Sequence, residues 1–249
     1  MAHLNEIFIE KMKYMNTTMK KDNAAGHQWK YCNSSSKKAK GFEQARKQGK
    51  YLINCVDGVQ WALKMAGVAS NALSWYCSNG NIVWLNGNAK ANAQKYFNII
   101  KVGNKTVQQL YDEGKIYDGD ILAYTTLAHT NAYYGGGKSF DSGHAYAKGS
   151  GEGAAMTKWI GNLSCKNYKV SYILRIKDRA HYRIQCGAYK IRKNAELIKA
   201  KVRKLGYGCE LKTSDGMTRV QVGSDSKSNA EKIAADLSSN GIACIIVEE

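Results

Sequence analysis

YRIQCG at residues 182–187 recurs as TRVQVG at residues 218–223. In both copies apolar and polar residues alternate one by one, which is typical of a strand with one buried and one polar face. The polar side chains of the two predicted strands are Arg183, Gln185, Arg219 and Gln221.

A helical pattern follows each copy. NAELIKAKVRKLG (194–206) and NAEKIAADLSSNG (229–241) place apolar residues on one stripe and end at a glycine. A further short strand completes each unit, so the order is βαββαβ. We therefore expect a ferredoxin-like split βαβ arrangement, with two helices on one face of a four-stranded sheet. Its inward face would carry Cys186, Cys209 and Cys244 as core residues.

These half-repeats resemble those of a SPOR domain, which would occupy residues 182–249 after a linker at 177–181. The resemblance implies binding to peptidoglycan, with a preference for glycan strands stripped of their peptides. It also implies that the open polar sheet face is the glycan site. An RNA-recognition domain has the same topology but carries aromatic rings on its central strands. We therefore expect no nucleic-acid partner. The residues expected to contact glycan are Arg183, Gln185, Arg219 and Gln221.

Composition narrows the classes of function. The 249-residue chain has a net charge of +17, which favours polyanions such as an anionic cell wall. It lacks a run of about 18 apolar residues and an apolar signal-peptide core, so we expect no membrane insertion and synthesis in the cytoplasm. Seven cysteines without a CxxC pair argue against zinc ribbons and redox motifs. No metal and no cofactor are expected.

Another signal lies in INCVDGVQWALKMAG, residues 53–67. Asn54 is a good N-cap, and Asp57 three residues later can complete a capping box. Cys55 then opens the helix, where free backbone N–H groups and the helix dipole favour a thiolate. The position suits a nucleophile, but cysteine is also a common core residue, so a partner is needed.

Downstream residues supply that partner. A strand is predicted around His129, a Gly-Gly-Gly turn at 135–137, and a returning strand that ends near Asp141. His129 and Asp141 would then be neighbours, and a carboxylate beside a histidine orients the ring. His144 and Asn131 are alternative orienting residues.

The order Cys55, His129, Asp141 resembles that of NlpC-type cell-wall cysteine peptidases and the related CHAP amidases. The resemblance implies a papain-like catalytic domain over residues 1–176, in which a helix bearing the cysteine packs on an antiparallel sheet. The whole chain would then be α+β. Gly119-Asp120 occupies the family's Gly-Asp position, whereas Asn54 replaces the usual acid before the cysteine. Asn54 is therefore expected to contact substrate, and its replacement of the acid leaves the identity of the cleaved bond undetermined.

Together the two resemblances imply a peptidoglycan hydrolase of the endolysin or autolysin type, which acts at the bacterial cell wall. The lack of a signal peptide favours the endolysin. Cleavage after D-glutamate in the stem peptide, of the muramoyl–L-alanine amide, or of a cross-bridge would each suit a Cys-His site. The alternatives are a non-catalytic wall-binding protein and a basic nucleic-acid-binding protein. Turbidity loss of cell walls and retention on peptidoglycan would distinguish them.

Overall fold

The computed structural model describes residues 2–178, 182–224 and 227–248. The α-helices of the N-terminal domain are α1 (Leu4–Ala24), α2 (Phe42–Lys47), α3 (Cys55–Met65), α4 (Ala89–Tyr96) and α5 (Val107–Asp112). Its first six strands are β1 (Lys30–Tyr31), β2 (Leu52–Ile53), β3 (Trp75–Ser78), β4 (Asn81–Trp84), β5 (Phe97–Lys101) and β6 (Ile121–Tyr124). The next six are β7 (Thr130–Gly135), β8 (Lys138–Phe140), β9 (Ala147–Lys148), β10 (Ala155–Met156), β11 (Ile160–Asn162) and β12 (Val170–Ile176).

A six-stranded antiparallel sheet forms the centre of this domain, in the order β11-β8-β7-β6-β12-β5. A smaller sheet has the order β2-β1-β10-β9, and β3 pairs with β4. Helix α3 packs between α1 and strand β7. The aromatic core beneath it includes Trp29, Phe42 and Trp159, all fully buried. The packing of α3 on the sheet thus brings the helix start close to the β7–β8 hairpin.

The C-terminal domain has the predicted βαββαβ order. Its elements are β13 (Tyr182–Tyr189), α6 (Arg192–Lys204), β14 (Glu210–Ser214), β15 (Met217–Ser224), α7 (Lys227–Ser239) and β16 (Ile245–Glu248). The antiparallel sheet has the order β14-β15-β13-β16. The apolar stripes of α6 and α7 enter the core through Ala195, Val202, Ala230 and Leu237, each fully buried.

The cysteines of this domain occupy its core as expected. Cys186 and Cys209 are buried, and Cys244 is half-buried against the same cluster. Burial raises the pKa of Cys186 to about 12. Their thiols are therefore packing groups, in agreement with the alternation that predicted them.

The polar sheet face differs from the prediction, which had all four side chains on an open surface. Gln221 is only 7% exposed, and its Oε1 has no hydrogen-bond partner among the residues that the structure describes. It lies on a central strand, between the cross-strand neighbours Gln185 and Glu210. The Arg183 guanidinium lies 5.8 Å from the ring of Tyr117, in the N-terminal domain. The alternation of apolar and polar residues identifies the face on which a side chain lies, but not what packs on that face. The prediction of a solvent-exposed position was therefore wrong for Gln221.

The predicted linker at 177–181 lies partly outside the described residues. Lys177 donates its backbone N–H to the carbonyl of Tyr96 at 2.8 Å, and the Asp178 carboxylate lies 2.7 Å from the His3 imidazole. These two residues are thus tied to the N-terminal domain. Among the helices of the described ranges, we find none long and apolar enough to cross a membrane.

Candidate active site

Helix α3 begins at Cys55, as the capping pattern predicted. The Asn54 side chain accepts the backbone N–H of Asp57 at 2.9 Å, and the Asp57 carboxylate accepts that of Asn54 at 3.3 Å. This capping box satisfies two of the free donors at the helix start. Cys55 is only 5% exposed. The predicted substrate-contacting residue Asn54 therefore has its side-chain oxygen engaged in the cap.

A close contact joins the helix start to the β8 side of the sheet. The Ser142 hydroxyl donates to the carbonyl of Asn54 at 2.8 Å. A β-carbon at Gly58 would collide with this same serine side chain. Glycine at position 58 thus lets α3 approach Ser142, one residue after Asp141.

His129 and Asp141 lie together at the open end of the β7–β8 hairpin. Nε2 of His129 is 3.1 Å from Oδ2 of Asp141. The carboxylate is fully buried, and the imidazole side chain is 16% exposed. His129 directly precedes β7 and Asp141 directly follows β8, so the hairpin brings together two residues on opposite sides of the Gly-Gly-Gly turn. The pairing predicted from the turn is confirmed as a contact.

Asp141 is held by three further donors. Its Oδ1 accepts the Gly143 N–H at 2.8 Å, and its Oδ2 accepts the Ser164 hydroxyl at 2.9 Å and the Asn131 amide at 3.4 Å. Burial opposes ionisation of this carboxyl, but His129, the Gly143 N–H and the Ser164 hydroxyl lower its pKa. The geometry therefore favours a carboxylate beside the imidazole.

The pKa of His129 moves in the opposite direction. Burial alone would lower it, but the charge and hydrogen bond of Asp141 raise it well above its ordinary value, with further contributions from Cys165 and Cys55. Asp141 engages Nε2 and leaves Nδ1 for another group. A β-carbon at Gly143 would lie 2.6 Å from Cε1 of His129, so only glycine leaves room for the ring in this position.

The two alternative orienting residues have other contacts. Asn131 is fully buried on β7, receives the Tyr124 hydroxyl at 2.8 Å and donates to Ser164 at 2.7 Å. It positions Asp141 rather than the imidazole. His144 lies in a 3₁₀ turn at 144–146, accepts the Gly151 N–H at 3.1 Å and packs edge-on against Tyr31. The Gly119-Asp120 pair has a structural contact, since Asp120 binds Arg175 at 2.6 Å.

The residue that sequence reasoning missed is Cys165. Ligand-type atoms of His129, Asp141 and Cys165 all lie within 4.8 Å of one another, and among the described residues no other group of three or more His, Cys, Asp or Glu side chains meets this distance limit. Cys77 also lies near Cys55 and His129, but burial raises its pKa to about 12. Motif spacing gave no sign of Cys165, because the loop after β11 carries no periodic pattern.

Comparison with known proteins reaches one part of the chain. The SPOR domain family matches residues 178–248. The solution structure of the peptidoglycan binding domain of B. subtilis cell wall lytic enzyme CwlC is 30% identical and covers 28% of this chain and 90% of that chain, with a TM-score of 0.27. No curated protein matches. The predicted SPOR domain is thereby confirmed.

Proposed function

Residues 178–248 of this chain form a SPOR domain, and from that premise we propose that the protein binds peptidoglycan and hydrolyses one of its amide bonds. The B. subtilis domain to which it is similar is described as peptidoglycan binding. The observation that supports catalysis is the His129–Asp141 pair at 3.1 Å. The Cys55 thiol, at the start of α3, contributes to the raised pKa of the same imidazole.

The proposed chemistry is that of a papain-like cysteine hydrolase. Cys55 attacks the amide carbonyl, and Nδ1 of His129 takes the thiol proton and then gives it to the leaving amine. Asp141 holds the ring through Nε2 and stabilises the imidazolium. The backbone N–H of Cys55, at the first position of the helix, can stabilise the developing oxyanion. An acyl-enzyme forms, and water releases it.

The SPOR domain would raise the local concentration of the catalytic domain on the wall. The net charge of +17 would aid the approach to an anionic wall. Both stem-peptide cleavage and cleavage of the muramoyl–L-alanine amide fit this site. Mass spectrometry of digested walls would identify the new termini and thus the bond, and with it any contribution of Asn54 to specificity.

Cys55→Ala tests the hydrolase. We expect the variant to clear suspended cell walls at least about 1,000-fold more slowly than wild type, because the nucleophile is lost. Cys244→Ala, which removes a thiol in the C-terminal domain, is the matched control and should clear walls at the wild-type rate. Equal clearing by Cys55→Ala and wild type would disprove the mechanism.

A second candidate is a wall-binding protein without activity. It is favoured by the family match at residues 178–248, which bears on binding to the wall and not on catalysis. Retention of the full chain on insoluble peptidoglycan without release of any fragment would support it. Binding to single-stranded RNA at physiological salt, with no retention on peptidoglycan, would instead indicate a nucleic-acid-binding protein.

A further inference from the structure

Cys165 has no part in the hydrolysis proposed above, yet it lies beside the His129–Asp141 pair. Its sulfur, a ring nitrogen of His129 and a carboxylate oxygen of Asp141 are all within 4.8 Å of one another. The side chain is half-buried, so a small solute can reach it. Cys165 and Cys55 both contribute to the raised pKa of His129.

The backbone holds Cys165 in an uncommon conformation. Its φ of 53° lies in the left-handed region, which is unfavourable for a residue other than glycine. The Cys165 carbonyl accepts the N–H of Tyr168 at 3.0 Å, and the preceding Ser164 donates to Asp141 at 2.9 Å. These contacts fix residues 164 and 165 beside the His129–Asp141 pair, and such strain is concentrated at functional sites.

A thiolate, an imidazole and a carboxylate are the three common zinc ligands of proteins. Zinc binds them at about 2.0 to 2.3 Å in a tetrahedron, which separates the ligand atoms by about 3.5 Å. His129 Nε2 and Asp141 Oδ2 are 3.1 Å apart here, so small rotations of the side chains would complete such a site. Gly143 and Ser164 already hold the carboxylate, as supporting hydrogen bonds do in zinc sites.

We propose that His129, Asp141 and Cys165 bind a zinc ion, with water as the fourth ligand, and that this ion blocks the site. Binding replaces the proton of the Cys165 thiol and the proton of the coordinating ring nitrogen, and both protons pass to solvent. When zinc replaces the proton on Nε2, the remaining ring proton is on Nδ1, so Nδ1 of His129 cannot accept the Cys55 proton while zinc is bound. Metal binding itself does not depend on the proposed hydrolase; only the block rests on it.

Titration of the full-length chain with zinc and with cobalt tests the site. We expect one ion per chain by calorimetry, and a near-ultraviolet thiolate-to-cobalt absorption band. Cys165→Ser should weaken zinc binding by about 100-fold or more and abolish the band. Cys77→Ala is the matched control, since Cys77 also lies near His129 but outside the group of three, and it should leave both signals unchanged.

Cys165→Asp separates ligand loss from misfolding. It supplies a carboxylate in place of the thiolate, and aspartate tolerates the left-handed conformation. It should bind zinc but give no thiolate band. Failure of wild type to bind zinc, or unchanged binding by Cys165→Ser, would overturn the site. A chain that binds zinc yet clears walls equally fast when saturated would overturn the block, whereas zinc binding by a chain without any hydrolase activity would support the metal site and refute the proposed function.

Discussion

His129 and Asp141 have oppositely shifted pKa values, and each shift stabilises the fold in a different pH range. The raised pKa of His129 gives a contribution that is complete below the unfolded value, about 6.5, and is lost as pH rises through the folded pKa. The lowered pKa of Asp141 gives a contribution that is complete above about 3.9 and is lost as pH falls through its folded pKa. The pair is therefore fully effective between about pH 4 and 6.5.

Asp141→Asn tests this interaction. We expect it to lower the free energy of unfolding by about 2 kcal/mol between pH 4 and 6.5, since a hydrogen bond between charged partners contributes on this scale. The difference from wild type should shrink above and below that range. Urea titrations across pH measure it. In a His129→Gln background, the difference in free energy of unfolding caused by Asp141→Asn should no longer shrink as pH rises above about 6.5. A difference that stays constant with pH in both backgrounds would contradict the ion pair.

At the scale of elements, the α3 start and the β7–β8 hairpin form the candidate site. The helix start is fixed by a local signal, because the Asn54–Asp57 capping box spans three residues. The hairpin is fixed by the turn at Gly135-Gly136-Gly137, whose φ values of 108°, 57° and 68° favour glycine at each position. Contact between the two elements needs Gly58, which accommodates Ser142.

Asn54→Ala tests the cap. We expect a loss of about 1 kcal/mol in the free energy of unfolding, because the Asp57 N–H loses its acceptor. Asn54→Asp supplies an equivalent acceptor at the helix start and should recover most of the loss. Urea unfolding of both variants measures this. Equal destabilisation by alanine and aspartate would show that capping is not what asparagine contributes at position 54.

At the scale of the whole molecule, the two proposed functions, hydrolysis and wall binding, belong to two domains with separate cores. The core of residues 182–248 is built from its own helices and sheet, and the core under α3 from the N-terminal elements. On the polar sheet face Gln221 is buried, while Gln185 and Arg219 keep part of their surface exposed. If that face binds glycan, Gln185 and Arg219 are the more accessible contacts.

The double variant Gln185→Ala/Arg219→Ala tests that face. We expect retention of the full chain on insoluble peptidoglycan to fall about 10-fold, which corresponds to about 1.4 kcal/mol of binding free energy. Asn194→Ala/Lys201→Ala removes an equal charge and a similar amide from exposed positions of α6 and is the matched control. It should be retained like wild type. An equal loss in both double variants would indicate charge attraction alone.

Features that depend on short-range patterns can be read from the amino-acid sequence. Alternation and helical period in the two copies of the repeat specify the βαββαβ order. The cap at Asn54 specifies where the helix bearing Cys55 begins, and the turn after His129 specifies its pairing with Asp141. The same local rules predicted Cys186 and Cys209 as core residues, and their burial confirms this. These features follow from periodicity and backbone preference, which act within a few residues.

Other contacts form only when distant segments of the chain pack together. Cys165 reaches His129 because a loop between β11 and β12 folds back onto the hairpin, and no spacing in the chain encodes that approach. Gln221 is buried on a central strand, and Arg183 lies near Tyr117 of the other domain. Such contacts join residues far apart in sequence, so their free energy depends on the packed whole rather than on any segment.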